Sequence, residues 1–244
     1  MSHLVKRLIN GALRPFNQEI CRLGRPEKMD AFRTQAHLTK KTNPTIFDAG
    51  AYIGDVCARY KALFPESTVH VFEPFPDSFR RLKQRFHDDA SVKLNECAVS
   101  DVDGTVELNA NQSSATNSIL ASDPLGARTW GEGLLETNAR LSVPTTTLDA
   151  YCHAHAIDAI DILKLDIQGA ELKALHGARS MLESGRIGLI YMEMIFVPTY
   201  VGQPDFVDYL HYFRQAGYVM LDMFDAARKD FRLIQSDIIF IRPR

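Results

Sequence analysis

From residue 45 onward, short apolar runs alternate with longer segments whose apolar positions recur every three or four residues. That alternation is the pattern of βαβ units and a mostly parallel sheet. It predicts a strand at 45–49, a helix at 53–64 ended by Pro65, a second strand at 68–73 (TVHVFE), a helix at about 76–87 and a third strand at about 91–99. The rhythm then changes. Residues 104–109 read as an additional strand, and 111–140 form a polar stretch with weak periodicity. A loop of that length within one domain is usually functional or disordered. Strand character returns at SVPTTT, before a short helix at about 147–156. IDILKLDI, at 160–167, is the continuous apolar run expected of a central parallel strand buried on both faces. A helix at 169–182, a strand over IGLIYMEM and a helix at about 204–216 follow. YVMLDMF and DIIFIRP are expected to pair antiparallel at the sheet edge. No internal repeat or second-domain linker interrupts the chain.

With 244 residues, 45% hydrophobic and 24% charged, the composition is that of an ordinary globular protein. No apolar run is long enough for a transmembrane helix, and the N-terminus lacks the pattern of a secretory signal, so a cytoplasmic protein is expected. Cys21, Cys57, Cys97 and Cys152 are widely spaced, which argues against a structural zinc site or a disulfide scaffold. A net charge of −2 gives no indication of a nucleic-acid partner. The first 41 residues are nevertheless basic, with Lys6, Arg7, Arg14, Arg22, Arg25, Lys28, Arg33, Lys40 and Lys41 against Glu19, Glu27 and Asp30. Within them Leu4, Val5, Leu8, Ile9, Ala12, Leu13 and Phe16 share one helical face. The expected division is therefore a basic helical arm at 1–42 and a main domain at 43–244. The arm's stripe suits packing on that domain, a homo-oligomer partner or an anionic membrane surface.

The chemistry begins at TIFDAGAYIGD, Thr45 to Asp55, where a strand runs through Asp48 into a turn holding Gly50 and Gly54. Glycines at such a turn let the backbone approach a ligand at the carboxyl end of the first strand. Tyr52 stands where a dinucleotide fold has its middle glycine, and no phosphate-cradling G-K-[ST] occurs. Glu73 closes the second strand about 20 residues further on, where a carboxylate accepts hydrogen bonds from ribose hydroxyls. Turn and carboxylate together favour a nucleoside ligand without a pyrophosphate, of which S-adenosylmethionine is one.

IFDAGAYIGD, VFEPFPDSFRRL, NECAVSDVDGTVEL and TTTLDAYC…IDILKLDIQGAELKALHGA, in this order, make the chain resemble the FkbM-family methyltransferases over about residues 45–195. The resemblance implies a class I methyltransferase fold: an α/β, Rossmann-like, mostly parallel seven-stranded sheet with an antiparallel last strand. It also implies S-adenosyl-L-methionine as cofactor and methyl transfer to a hydroxyl. Carried over, Asp48, Gly50, Ala51, Tyr52 and Gly54 are expected at the methionine end, Glu73 at the ribose, and Pro74, Phe75, Asn95 and Ala98 around the adenine.

An acceptor hydroxyl must lose a proton, and Asp166, Glu171 and Glu193 are the candidates, lying at strand ends or on the helix between them. Their order is open, and Asp166 serves equally as base, substrate ligand or helix cap. Gln168 departs from the glutamate that resembling proteins carry, and an amide is neither a base nor a good divalent-metal ligand. A metal is thus not expected, although Asp166 with Glu193 could hold magnesium. Asn117 and Trp130, in the polar stretch, are the candidate substrate contacts, the indole stacking on the apolar face of a sugar. The expected acceptor is a small molecule or glycan. The alternatives are a non-catalytic cofactor-binding scaffold and, disfavoured by Tyr52, a nicotinamide-dependent reductase.

Overall fold

The computed structural model describes residues 30–243, so the predicted basic stripe between Leu4 and Phe16 lies outside the described residues. The compact unit begins at Ala31 with helix α1 (Ala31–Thr39), which lies within the stretch that the sequence division assigns to the arm. The helix is tied down by its buried face. Phe32 packs its ring 5.2 Å from Tyr60 and 5.6 Å from Tyr191, and buried Gln35 accepts from the Tyr60 hydroxyl at 2.8 Å.

Seven strands form the main sheet. In chain order they are β1 (Thr45–Ala49), β2 (Thr68–Phe72), β3 (Val92–Asn95), β7 (Ile160–Leu165), β8 (Ile187–Ile195), β9 (Val219–Lys229) and β10 (Arg232–Ile241). Their spatial order is β3-β2-β1-β7-β8-β10-β9. Strand β10 pairs antiparallel with both β8 and β9, and all the remaining pairings are parallel. β1 and β7 are central, and their burial patterns are nearly continuous because helices cover both faces. Two separate apolar clusters form the core, one on each side.

The helices α2 (Asp55–Leu63) and α3 (Pro76–Arg85) follow β1 and β2 as predicted, and α8 (Phe206–Gln215) follows β8 with Asp205 and Asp208 forming a capping box. The polar stretch is more ordered than its composition suggests. β4 (Ala98–Val99), β5 (Gly104–Asn111) and β6 (Thr137–Thr146) make a second sheet in the order β4-β6-β5, with the short helix α4 (Gly126–Trp130) between β5 and β6. β5 and the end of β6 match the strands predicted at 104–109 and SVPTTT, but the strand predicted at 91–99 is two, β3 and β4, in different sheets, and the first half of β6 was hidden because it is largely exposed and alternates poorly.

After α5 (Leu148–Ala154), the single helix predicted at 169–182 is two, α6 (Glu171–His176) and α7 (Arg179–Glu183). The break has a tertiary cause. Gly177 turns its carbonyl to the backbone N–H of Asp149, whose carboxylate in turn accepts from Ser180 N and Met181 N at the start of α7.

Candidate active site

The chain order reverses between β1 and β7, so the loops leaving these strands diverge and leave a crevice at their carboxyl ends. The loop after β1 is shaped by two glycines. Gly50 has φ 76°, and a Cβ there would overlap the backbone carbonyl of Asp166. Gly54, at φ 85°, caps α2, and a Cβ would sit 2.5 Å from the Phe86 ring. Between them Tyr52 also adopts a left-handed conformation, φ 52°, and Gln168 does so in the loop after β7, φ 56°. Left-handed backbone at residues with side chains costs on the order of 1 kcal/mol or more each, and such residues cluster where function constrains the chain.

Glu73 connects the first two strand ends. Its Oε2 accepts from Tyr52 N and its Oε1 from Phe75 N, both at 2.9 Å. Burial pushes its carboxyl up to about 7, against the pull of these two N–H groups. Each oxygen keeps a lone pair for a further donor.

Between these loops lies a cavity of about 240 Å³. Gly50, Tyr52, Glu73, Pro74, Ala98, Asn117, Asp166 and Glu193 line it, as do Gln168, Ile167 and Ser114. Its lid is the segment after β5, held by buried Asn109 and Asn111, which donate to the carbonyls of Ser118, Leu120 and Thr116. Asn117 turns its Oδ1 to Asn111 N at 2.8 Å, and its buried Nδ2 has no partner.

The other candidates from the sequence lie elsewhere. Asp48 is fully buried behind the loop, 3.1 Å from Lys164 Nζ, so its carboxylate faces the lysine and not the cavity. Ala51 is packed in the core, and Gly54 lies against Leu82 and Phe86. Phe75 packs on Ala98, Leu108 and Val143, while Asn95 spends its amide on the carbonyls of Val71 and Lys93. Glu171 is 3% exposed and clamps the β7 loop, accepting from Ile167 N at 2.9 Å, Gly169 N at 3.3 Å and the Tyr209 hydroxyl at 3.3 Å. Burial raises its carboxyl to about 7, but it does not border the cavity. Trp130 lines a second cavity.

Lys164, Gln235 and Tyr200 are the residues that sequence reasoning missed. Lys164 donates to the Gly50 carbonyl at 2.8 Å and lies 3.6 Å from Asp166 Oδ2, joining both loops to Asp48. Its signal was a lone cation inside the apolar run ILKLDI, where a charge must have a partner. Gln235 and Tyr200 gave none, because β10 and the turn after β8 reach the site only through tertiary packing.

Gln168 Nε2 donates to Asp166 Oδ1 at 2.9 Å and to Glu193 Oε2 at 2.8 Å, and its Oε1 accepts from the Tyr200 hydroxyl at 2.8 Å. Glu193 Oε1 accepts from Gln235 Nε2. Burial, and then the negative charges of Asp166, Glu171 and Asp237, raise the Glu193 carboxyl well above the usual range. Glu193 borders the first cavity, the second of about 210 Å³, and a third of about 190 Å³. Among the described residues no group of three or more His, Cys, Asp or Glu side chains is placed to hold a metal, and no helix is long and apolar enough to cross a membrane.

A parallel sheet with one reversed strand inserted beside its edge, and a glycine loop and acidic residue at the ends of its first two strands, defines a class I methyltransferase fold. Residues 48–220 match the Methyltransferase FkbM domain, so the chain belongs to that family and is an S-adenosylmethionine-dependent methyltransferase. It is similar to the 2-O-methyltransferase NoeI of Sinorhizobium fredii (strain NBRC 101917 / NGR234), 28% identical over 174 residues, covering 68% of this chain and 69% of that protein. It also resembles Methyltransferase sdnD of Sordaria araneosa, 29% identical over 157 residues, covering 56% of this chain and 61% of that protein. The crystal structure of Methyltransferase FkbM from Methylobacillus flagellatus KT shares the fold at a TM-score of 0.51 and 17% identity, covering 81% of this chain and 44% of that one.

Proposed function

We propose that the first cavity holds S-adenosyl-L-methionine and that the protein methylates a hydroxyl of a sugar or other polyhydroxylated acceptor. The observation that carries this reading is the pair of carboxylates bounding the cavity, Glu73 between the first two strand ends and Glu193 at the junction with the second cavity. The residues present fit the cofactor. Glu73 has lone pairs for a ribose diol, Gly50 leaves its backbone bare, and the buried Asn117 Nδ2 is a donor awaiting an acceptor atom. Asp166, with no Asp48 carboxylate beside it in the cavity, is the group that faces the amino end. Cys97, Ala98 and Val99 offer an apolar wall for the base.

When bound, the cofactor supplies a methyl group on a cationic sulfur, which leaves with the carbon–sulfur electron pair. The chain's part is to position the acceptor oxygen and remove its proton. Glu193 does the latter. Burial and its acidic neighbours raise its affinity for a proton, while the Gln168 and Gln235 amides fix both its oxygens. The relative NoeI is by its name a 2-O-methyltransferase, which supports a hydroxyl acceptor here.

Calorimetry with S-adenosylhomocysteine tests the first half of the reading, and S-adenosylhomocysteine release over a panel of soluble glycosides tests the second. The product is expected to bind, and Glu73→Ala to weaken it by about 1.5–3 kcal/mol, the scale of lost charge-assisted hydrogen bonds. Glu193→Gln is expected to lower kcat by about 10²- to 10⁴-fold with product affinity unchanged. Wild-type turnover in that variant would move the base to Asp166.

A further inference from the structure

Resting on the cofactor reading above, we infer that the second cavity, beside Trp130, is the acceptor site and that it takes a neutral hydroxyl-bearing ring with one apolar face, and not an anionic acceptor. The two cavities share Ala115, Gln168 and Glu193 in their linings, so they adjoin at these side chains, and an acceptor in the second presents its hydroxyl at the junction with the methyl donor's cavity. At about 210 Å³ it has the volume of roughly seven water molecules in the liquid, room for one ring and its substituents.

The cavity's polar groups also bear on what it takes. The indole Nε1 of Trp130 donates to Thr199 Oγ1 at 2.8 Å, which anchors the ring by its edge. The Thr199 hydroxyl donates to the Val197 carbonyl at 3.1 Å, the single hydrogen of Thr116 Oγ1 is shared between the Ser113 and Leu134 carbonyls at 2.8 and 2.9 Å, and that of Tyr200 between Gln168 Oε1 and the Thr116 carbonyl. The Gln168 amide is engaged at both ends. The side-chain donors are therefore already engaged, save one amide hydrogen of Gln235, and no lysine, arginine or histidine lines the cavity. What remains exposed is an acceptor, the Glu193 carboxylate. A phosphate or carboxylate would meet that charge with no cationic side chain in the cavity's lining to offset it. A hydroxyl donates to Glu193 and delivers its proton there as its oxygen bonds to the methyl carbon. Trp130, Leu134, Leu135 and Ile195 supply the flat apolar wall that the C–H face of a ring requires.

The chain has one tryptophan, so its fluorescence reports on this cavity alone. With S-adenosylhomocysteine saturating, methyl glycosides of neutral hexoses and 6-deoxyhexoses are titrated beside the matching hexuronides and hexose phosphates. The expected result is a saturable change in emission with at least one neutral glycoside and none with its anionic counterpart. Trp130→Ala is expected to reduce kcat/KM for that glycoside by about 10- to 100-fold at unchanged product affinity, and Trp130→Phe to recover most of it. Silence from every neutral glycoside, equal response to the anionic set, or wild-type turnover in Trp130→Ala would each overturn the inference. Failure of S-adenosylhomocysteine to bind is a different outcome, and it removes the cofactor reading instead.

Discussion

At the scale of single residues, two buried charges have consequences that titration reads directly. Glu73 has its carboxyl raised from 4.5 to about 7, so the empty protein gains stability below pH 4.5 and loses it as pH rises through 7. Cofactor binding runs the other way, since ribose hydroxyls donate to the ionised form. S-adenosylhomocysteine affinity is expected to rise from pH 5 to about 7, by up to about tenfold per unit, and then level off. Calorimetry across that range, with a flat profile in Glu73→Gln, is the check. Lys164 is the other case. It is held above its ordinary value chiefly by the Asp48 and Asp166 charges, which outweigh the opposing effect of its burial. Lys164→Met would strand the fully buried Asp48 and should cost about 3–5 kcal/mol in urea denaturation. Adding Asp48→Asn should recover much of the loss, and no recovery would mean that the pair is not coupled.

Among the elements, the junction of α6 and α7 shows one helix start served by another helix. Asp149 at the beginning of α5 accepts from Ser180 N at 2.7 Å and Met181 N at 3.0 Å, while Gly177 passes so close to the Ser100 carbonyl that no side chain fits. Asp149→Ala should therefore destabilise the protein by about 1–2 kcal/mol, as loss of a cap does, without altering S-adenosylhomocysteine affinity. Thermal melting and calorimetry separate the two effects. The helical periodicity of 169–182 is continuous in sequence, so nothing local announces the interruption. The same holds for the polar stretch. Its hydrogen bonds are satisfied by Asn109, Asn111, Tyr200 and Lys229, the last donating to the Arg128 and Thr129 carbonyls at the end of α4.

Across the whole molecule, the main sheet brings together residues from β1, β2, β7, β8 and β10, and the second sheet carries the lid over them. That Gly50, Tyr52, Glu73 and Asp166 would border one crevice was legible because each follows a strand whose hydrophobic pattern is strong, and strand ends of one parallel sheet share an edge; Glu193 borders it from near the end of β8. Asp48, Phe75, Asn95 and Glu171 read the same way but turn elsewhere. Sequence places a residue at a strand end without saying which neighbour takes its polar atoms.

The sequence by itself determined an α/β core and the order of the βαβ units, which follow from period, while the class I methyltransferase fold was implied by the resemblance of four motifs in their order. Tertiary structure alone decided that Lys164 neutralises Asp48, that Gln168 bridges two carboxylates and that Trp130 borders a cavity adjoining the first. The physical reason is range. Periodicity and turn chemistry are local, whereas each of these arrangements joins side chains from segments far apart in the chain, and only packing fixes their distances.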